Sequence, residues 1–334
     1  MSPPTQSKAR TNDARLAAAL HWAASVLGEP PGEPAPVSGD ASFRRYFRIL
    51  TRRGPLILMD APPGQEDSHP FLDVANRLLE AGLGAPRIEH FDLKQGFGLV
   101  EDLGDRLYRD ALSPRTAGRL IPGLLDLLGR MASDVDHSGL PAYDHSLLQT
   151  ELDLFTDWYL ARHRKAGLAD SEQAAWRSAC SVLLAAAADQ PRVFVHRDFH
   201  SCNLLLRRNS QPGIIDFQDA VSGPVAYDFA SLVWDRYIPW PRPRIEGWME
   251  DMRQRLGTGG LPLSATEWTR WVDLTGIQRN LKIVGIFARL HYRDRRAGYL
   301  EMIPRFYQYL LDVVPAYPEL SGLARLLEKT ECAP

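Results

Sequence analysis

Residues 196–206 read HRDFHSCNLLL, and they place an aspartate, Asp198, five residues before an asparagine, Asn203. An apolar run follows Asn203 at once, and the segment IIDFQDA (214–220) then puts Asp216 behind a second short apolar run. Two interpretations are open: an ordinary loop between two strands, or the centre of a phosphoryl-transfer enzyme. The elements on either side of the stretch decide between them.

The residue types in these two segments match the needs of phosphoryl transfer. The reaction requires a carboxylate that orients and deprotonates the acceptor hydroxyl, oxygen ligands for magnesium, and donors that neutralise phosphate charge. We therefore predict that Asp198 is the catalytic base. Asn203 and Asp216 are predicted magnesium ligands, because Mg²⁺ prefers hard oxygen donors.

The region before the motif is rich in strand patterns. Period-two alternation and turn residues predict strands over 42–50, 55–61, 85–93 and 96–104. Helical spacing of apolar residues predicts helices over 13–27, with Asp13 as its N-cap, and over 69–83. The chain after residue 104 is mostly helical in pattern and includes one long helix from residue 265, with a short β-rich patch at 193–217.

This order of elements predicts an α+β fold with two lobes. The N-terminal lobe, residues 1–103, is expected to be a small antiparallel sheet that binds a nucleotide. The C-terminal lobe, residues 104–334, is expected to be helical and to hold the catalytic loop, with a hinge near 101–105. An isolated HRD triplet means little, but the whole series favours a kinase centre.

Composition excludes several classes of function. The 334 residues carry a formal net charge of -2, so there is no bulk attraction to nucleic acid or to an anionic membrane. Cys180, Cys202 and Cys332 have no metal-ligand spacing, which predicts a reduced, cytoplasmic protein. No apolar run is long enough to span a membrane. The predicted partners are small molecules, and the sequence has no signal for an oligomeric state.

The two motifs resemble the catalytic and metal loops of the protein-kinase-like fold, in its small-molecule branch of aminoglycoside phosphotransferases and choline kinases. The second motif is IDFQDA rather than DFG, and no APE segment follows it. Instead GPVAYDFASLVWD (223–235) comes next, and its Asp228 matches an aspartate that starts a helix in that branch. His196 is expected to have a structural role, holding the loop through backbone contacts or through Asp228.

Longer strings are similar to the anomeric N-acetylmuramate/N-acetylglucosamine kinases of bacterial cell-wall recycling. They include SGDASFRRYFRI, LVEDLGDRLYRDAL and VGIFARLHYRDRRAGYL, and the similarity covers nearly the full chain. The resemblance implies ATP- and Mg²⁺-dependent phosphorylation of the sugar C1 hydroxyl during peptidoglycan recycling. It does not by itself establish the sugar.

The resemblance also implies a nucleotide site in the first lobe. The turn of a phosphate-covering hairpin would be formed by Gly39, Asp40, Ala41 and Ser42. Met59 stands near the position where the wider fold carries a phosphate-pairing lysine, so either an arginine of FRRYFR (Arg44, Arg45 or Arg48) replaces it or the nucleotide is held differently. The backbone from Glu101 to Leu103 is expected to pair with adenine.

The acceptor site is expected on the helical lobe, facing Asp198. A sugar carboxylate would favour a bidentate arginine. The candidate substrate-binding residues are Glu151, His200, Arg236, Arg289 and His291. For each of them the alternative is a surface or intra-lobe ion pair, and for His200 a solvated loop position.

Two alternative functions remain open from the sequence. One is a related phosphotransferase acting on an aminoglycoside, choline or another alcohol; the basic segments DRYIPWPRPR and ARLHYRDRR favour a neutral or anionic acceptor instead. The other is a nucleotide-binding protein without activity, suggested by Met59. The presence of Asp198, Asn203 and Asp216 argues against it.

Overall fold

The computed structural model describes residues 13–37, 43–207, 211–235 and 237–331. The chain separates into two compact units. Unit 1 comprises Met1–Leu79 and Ala85–Gly104, and unit 2 comprises Glu80–Gly84 and Asp105–Pro334. Within the described ranges, no helix combines the length and the apolar character that crossing a membrane requires.

Unit 1 is a five-stranded antiparallel sheet with two helices. Its strands are β1 Ala35–Val37, β2 Arg45–Thr51, β3 Gly54–Asp60, β4 Ile88–Asp92 and β5 Phe97–Glu101, in the order β1-β2-β3-β5-β4. Helix α1 is Ala14–Leu27 and helix α2 is His69–Glu80. Asp13 caps α1 by accepting a hydrogen bond from the backbone N–H of Leu16. The predicted strands, helices and cap of this region are confirmed.

The core of unit 1 lies between α1 and the sheet. Alternate residues Phe47 and Ile49 of β2 are buried, as the period-two pattern predicts. They pack with Leu58 of β3 and Leu99 of β5 against the two small residues of α1, Ala19 and Ala23. Alanines on the buried helix face allow α1 to lie close to the sheet.

Unit 2 is helical, with two short antiparallel strand pairs. Its helices are α3 Tyr108–Ala111, α4 Ala117–Asp134, α5 His145–Leu154, α6 Asp170–Ala188, α7 Tyr227–Val233, α8 Arg242–Thr258, α9 Ala265–Tyr292, α10 Ile303–Val313 and α11 Ser321–Thr330. Single turns of 3₁₀-helix lie at Leu300–Met302, Val314–Ala316 and Pro318–Leu320, and a π-helical segment, Phe155–Arg164, continues α5. The strand pairs are β6 Arg192–Val195 with β9 Val221–Pro224, and β7 Leu204–Leu205 with β8 Gly213–Ile214.

Helix α9 approaches its neighbours at two glycines. A β-carbon at Gly276 would lie 1.1 Å from the indole ring of Trp234, and one at Gly285 would lie 2.3 Å from the backbone of Leu154 at the end of α5. Neither position has room for a side chain. The two glycines therefore bring α9 into direct contact with the segment after α7 and with α5.

Replacing Gly285 with alanine tests this close approach. We expect Gly285→Ala to lower the free energy of unfolding by about 1–3 kcal/mol, because the added methyl group overpacks a backbone contact. Urea unfolding measures the change.

Gly123→Ala is the matched control. Gly123 also lies inside a helix, α4, but its β-carbon would meet nothing within 4 Å. This variant is expected to be about 0.5–1 kcal/mol more stable, because alanine favours the helix. Equal effects of the two substitutions would contradict the packing argument.

Candidate active site

The loop after β6 is held by a buried histidine and a buried aspartate. His196 is fully buried; its Nδ1 accepts a hydrogen bond from Asp198 N (3.3 Å), and Nε2 lies 3.0 Å from the carbonyl of Ile215. These contacts fit the tautomer with the proton on Nε2. His196 thereby joins the loop that carries Asp198 to the one that carries Asp216.

Asp228, in the first turn of α7, anchors the same loop. Its carboxylate accepts the backbone N–H groups of His196 (2.6 Å) and Arg197 (3.0 Å). Arg197 has a φ of 74°, a conformation that a non-glycine residue adopts only when its surroundings impose it. Burial raises the pKa of Asp228 to about 6, although the two N–H groups act in the opposite direction.

The three residues singled out by motif spacing lie together. The Nδ2 amide of Asn203 donates to the backbone carbonyl of Asp198 and to Oδ2 of Asp216, each at 3.1 Å. The backbone N–H of Ile215 also donates to the carbonyl of Asn203, at 3.1 Å. Asp216 has a φ of 62° and accepts from Gln218 Nε2 at 2.9 Å.

This arrangement fits a magnesium ion that is shared with phosphate groups. Among the described residues, no group of three or more His, Cys, Asp or Glu side chains is placed to hold a metal. Mg²⁺ commonly takes one or two protein oxygen ligands and completes its shell with water and substrate phosphates. Asn203 and Asp216 supply two adjacent oxygen-bearing side chains of that kind.

A buried charge cluster lies behind the catalytic loop; we call Glu151, Tyr143, Arg197, Gln278 and Lys282 the Glu151 cluster. Glu151 accepts from Arg197 Nη2 (2.9 Å), Gln278 Nε2 (3.1 Å), Lys282 Nζ (2.7 Å) and the hydroxyl of Tyr143. Burial opposes the charge of Glu151, but Lys282 outweighs it and lowers the pKa. The cluster joins the catalytic loop, α5 and α9.

Positive side chains, among them Lys282 of the Glu151 cluster, set the electrostatics of the candidate base. Neighbouring protein atoms partly desolvate Asp198, but the positive charges of Lys282, His200 and Arg279 outweigh this and lower the pKa of its carboxyl. Lys282 is held by Glu151 and by the hydroxyl of Tyr227 at 3.1 Å. Burial opposes its charge, yet Tyr227, Glu151 and Asp198 raise the pKa of Lys282, so it stays positive.

The structure changes the interpretation of the predicted acceptor residues. The carboxylate of Glu151 is buried and bound by four protein side chains, so it positions the catalytic loop instead of facing solvent. His200 is buried within the loop beside Asp198. Its backbone N–H donates to the backbone carbonyl of Asp198 at 2.9 Å. Arg289 and His291 lie in the last turn of α9, and Arg236 lies outside the described residues.

The arginines of FRRYFR are all ion-paired within unit 1. Nε of Arg44 lies 3.1 Å from Glu66, Arg45 bonds Asp13 and Asp60, and Arg48 bonds both carboxylate oxygens of Asp102. Glu66 lies in the loop before α2. Met59 is fully buried in β3.

The remaining nucleotide candidates are only partly described. Gly39, Asp40, Ala41 and Ser42 lie outside the described residues. Glu101 ends β5; its backbone N–H donates to the carbonyl of Arg87 at 2.8 Å. Leu103 is half-buried and follows β5 directly, next to the aspartate that holds Arg48.

A cavity of 380 Å³ lies elsewhere in unit 2, beside the π-helical segment. Its lining includes Asp153, Leu160, Trp176 and Arg177, and none of the predicted catalytic residues contributes to it. The chemistry of the loops, and not the size of this cavity, locates the candidate site.

Comparison with known proteins agrees with this geometry. The family model described as "Phosphotransferase enzyme family" matches residues 33–270, most of the chain. The chain belongs to this family. Curated relatives named N-acetylmuramate/N-acetylglucosamine kinase share 44% identity in Pseudomonas aeruginosa (95% of this chain, 97% of the relative), 39% in Pseudomonas putida (90% and 89%) and 35% in Neisseria meningitidis serogroup B (92% and 93%).

Solved structures of phosphotransferases share the fold. Choline kinase LicA from Streptococcus pneumoniae matches with a TM-score of 0.65 at 12% identity, over 89% of this chain and 99% of that one. ADP-bound aminoglycoside phosphotransferase APH(2'')-Ib matches with a TM-score of 0.57 at 14% identity, over 90% and 97%. The predicted aminoglycoside phosphotransferase fold is thereby confirmed.

The sequence motifs of this phosphotransferase did not reveal Lys282, Arg197 or Arg279. Arg197 lies inside the HRD triplet, but its pairing with Glu151 depends on a helix far away in the chain. Lys282 had one available signal: lysines are rare, occurring only at positions 8, 94, 165, 282 and 329. Lys282 lies inside an otherwise apolar stretch of α9, LKIVGIFA (281–288).

The raised pKa of Asp228 predicts a pH-dependent stability. Asp228 has an ordinary pKa of 3.8 in the unfolded chain and about 6 in the folded one, so between these values the folded protein binds more protons. Raising the pH from 4 to 7 should therefore lower the free energy of unfolding of the unaltered protein by about 2 kcal/mol relative to Asp228→Asn. Urea unfolding of both proteins at each pH measures it; a constant or rising difference contradicts the assignment.

The coupling of Glu151 with Lys282 is a second measurable quantity. In a double-mutant cycle of Glu151→Gln and Lys282→Met, we expect an interaction energy of about 1–3 kcal/mol, because the pair is buried. The exposed pair Glu172 and Lys329 is the control, treated with the same substitutions and expected to couple close to zero. Equal interaction energies in the two pairs would contradict the argument that burial strengthens the coupling of Glu151 with Lys282.

Proposed function

We propose that the protein is an ATP-dependent kinase that transfers a phosphoryl group to N-acetylmuramate and N-acetylglucosamine. The observation that carries the proposal is the contact between the loop of Asp198 and the Asn203–Asp216 pair. The relative at 44% identity, which matches almost end to end, bears the name of that activity. A metal-binding pair beside an ionised carboxylate is what phosphoryl transfer to a hydroxyl requires.

In the proposed reaction, Asp198 acts on the hydroxyl of the sugar. Its lowered pKa keeps the carboxylate ionised and able to accept the hydroxyl proton. The sugar oxygen forms a bond to the γ-phosphorus of ATP, the bond from this phosphorus to the β–γ bridging oxygen breaks, and ADP leaves. Asp228 and His196 keep the loop in the conformation that presents Asp198.

We propose the C1 hydroxyl as the acceptor. The anomeric hydroxyl is more acidic than an ordinary alcohol, so a carboxylate with a lowered pKa is a sufficient base for it. A C1-phosphate is also the form from which a nucleotidyl transfer can build a UDP-sugar. A place in peptidoglycan recycling in the cytoplasm follows from this proposal.

Asn203 and Asp216 would hold the magnesium ion, which supplies charge neutralisation to the phosphate oxygens when bound. For the remaining phosphate charge we propose Arg44. It lies two residues after Ser42 in the chain, and Glu66 fixes its position. Arg45 and Arg48 instead tie together Asp13, Asp60 and Asp102 inside unit 1.

Replacing the proposed base tests the function. Asp198→Asn should lower kcat on both sugars by about 10²–10⁴-fold, because the amide cannot accept the hydroxyl proton. Magnesium-dependent ADP release measures turnover, and coupling between ³¹P and the anomeric proton in the NMR spectrum of the product identifies C1.

The control is Asp189→Asn, which alters an exposed aspartate at the end of α6. It should leave turnover unchanged. Full activity of Asp198→Asn would remove Asp198 from the mechanism. Turnover of choline or an aminoglycoside in place of both sugars would reassign the substrate class.

A further inference from the structure

Arg279 is a buried arginine without an acceptor. It lies in the middle of α9, it is 5% exposed, and its Nη1 is closed off from solvent with no hydrogen-bond partner. Across the residues that the structure describes, none of its guanidinium N–H groups has a hydrogen bond or an ion pair. A guanidinium stays protonated inside proteins, so Arg279 keeps its positive charge.

Two half-buried arginines of unit 2, Arg197 and Arg242, are paired with carboxylates. Arg197 bonds Glu151 at 2.9 Å, and Arg242 bonds both oxygens of Asp273 at 2.6 and 2.9 Å. An unpaired buried charge is costly to the folded state. The buried guanidinium of Arg279, which has no acceptor among the described residues, therefore points to an anion that arrives from outside the chain.

The position of Arg279 on α9 places that anion at the candidate active site. Arg279 lies three residues before Lys282, so the two side chains share one face of the helix. Both act on the same carboxylate, because both of their positive charges lower the pKa of Asp198. An anion bound to Arg279 would thus lie beside the group that receives the acceptor hydroxyl.

Neither neighbouring cation fills this role. Lys282 already has a carboxylate partner, Glu151, at 2.7 Å. Arg289 also has an Nε without a hydrogen-bond partner, but it is only half-buried and lies ten residues further along, in the last turn of α9. Arg279 is the cation of this helix that is both buried and without an acceptor in the described part of the chain.

We propose that Arg279 binds the carboxylate of an acidic acceptor sugar, and so recognises N-acetylmuramate through its lactyl group. N-acetylglucosamine has a hydroxyl in that place and no anion to offer. The assignment rests on the proposed function, and it predicts that one residue separates the two substrates. A planar guanidinium can hold a carboxylate through two parallel hydrogen bonds.

The experiment compares the two sugars in Arg279→Gln. We expect KM for N-acetylmuramate to rise about 10–100-fold, as loss of a charge-assisted hydrogen bond predicts, while KM for N-acetylglucosamine and for ATP changes less than about 3-fold. Arg279→Lys should recover part of the loss, because it restores the charge without the planar fork. Arg270→Gln, an exposed arginine of the same helix paired with Glu319, should change neither sugar.

Calorimetric titration of N-acetylmuramate without nucleotide provides a second readout. The unaltered protein should bind it more tightly than Arg279→Gln or Arg279→Lys does. A raised KM for ATP with equal losses on both sugars would assign Arg279 to nucleotide phosphate and overturn the proposal, as would unchanged kinetics on both sugars. If the unaltered protein turned over neither sugar, the proposed function would fail, whereas the titration would still show whether Arg279 binds the carboxylate.

Discussion

The carboxylate of Asp228 accepts two successive backbone N–H groups, and the geometry of the catalytic loop depends on that contact. The two bonds fix the backbone of His196 and Arg197 directly after β6, where Arg197 has a positive φ. The turn releases Asp198 toward solvent, while His196 reaches back to the carbonyl of Ile215. Asp228 therefore orients the loop of Asp198 directly and, through His196, the loop of Asp216. The cost is the burial of an ionisable carboxyl group.

Electrostatic support for Asp198 comes from a different part of the chain. Glu151 on α5 forms ion pairs with Arg197 of the catalytic loop and with Lys282 of α9. Its negative charge offsets the repulsion between these two cations. The net charge of this buried group is positive, which suits a site that must attract and stabilise negative oxygens. Arg279, on the same helix, adds a further positive charge, and this one has no acceptor among the described residues.

The local motifs were sufficient to predict Asp198, Asn203 and Asp216 as neighbours, because short loops between adjacent strands keep residues of fixed spacing together. The strands of unit 1 were also predictable, since alternation and turn residues act locally. Lys282 and Arg279 were not, because their places depend on how α9 packs against α5. The four partners of Glu151 were not predictable for the same reason, because a single acidic residue in a helix pattern does not reveal them.

The contact between Gly276 and the ring of Trp234 limits which amino-acid substitutions this part of the molecule can accept during evolution. The indole occupies the volume where a side chain at 276 would begin, so the two positions are not independent. A larger residue at 276 is tolerable only together with a smaller one at 234, and each half of that exchange is harmful alone. The helix face that carries Arg279 and Lys282 is thus confined to pairs of compensating substitutions, which leaves few single-step paths by which its orientation can drift.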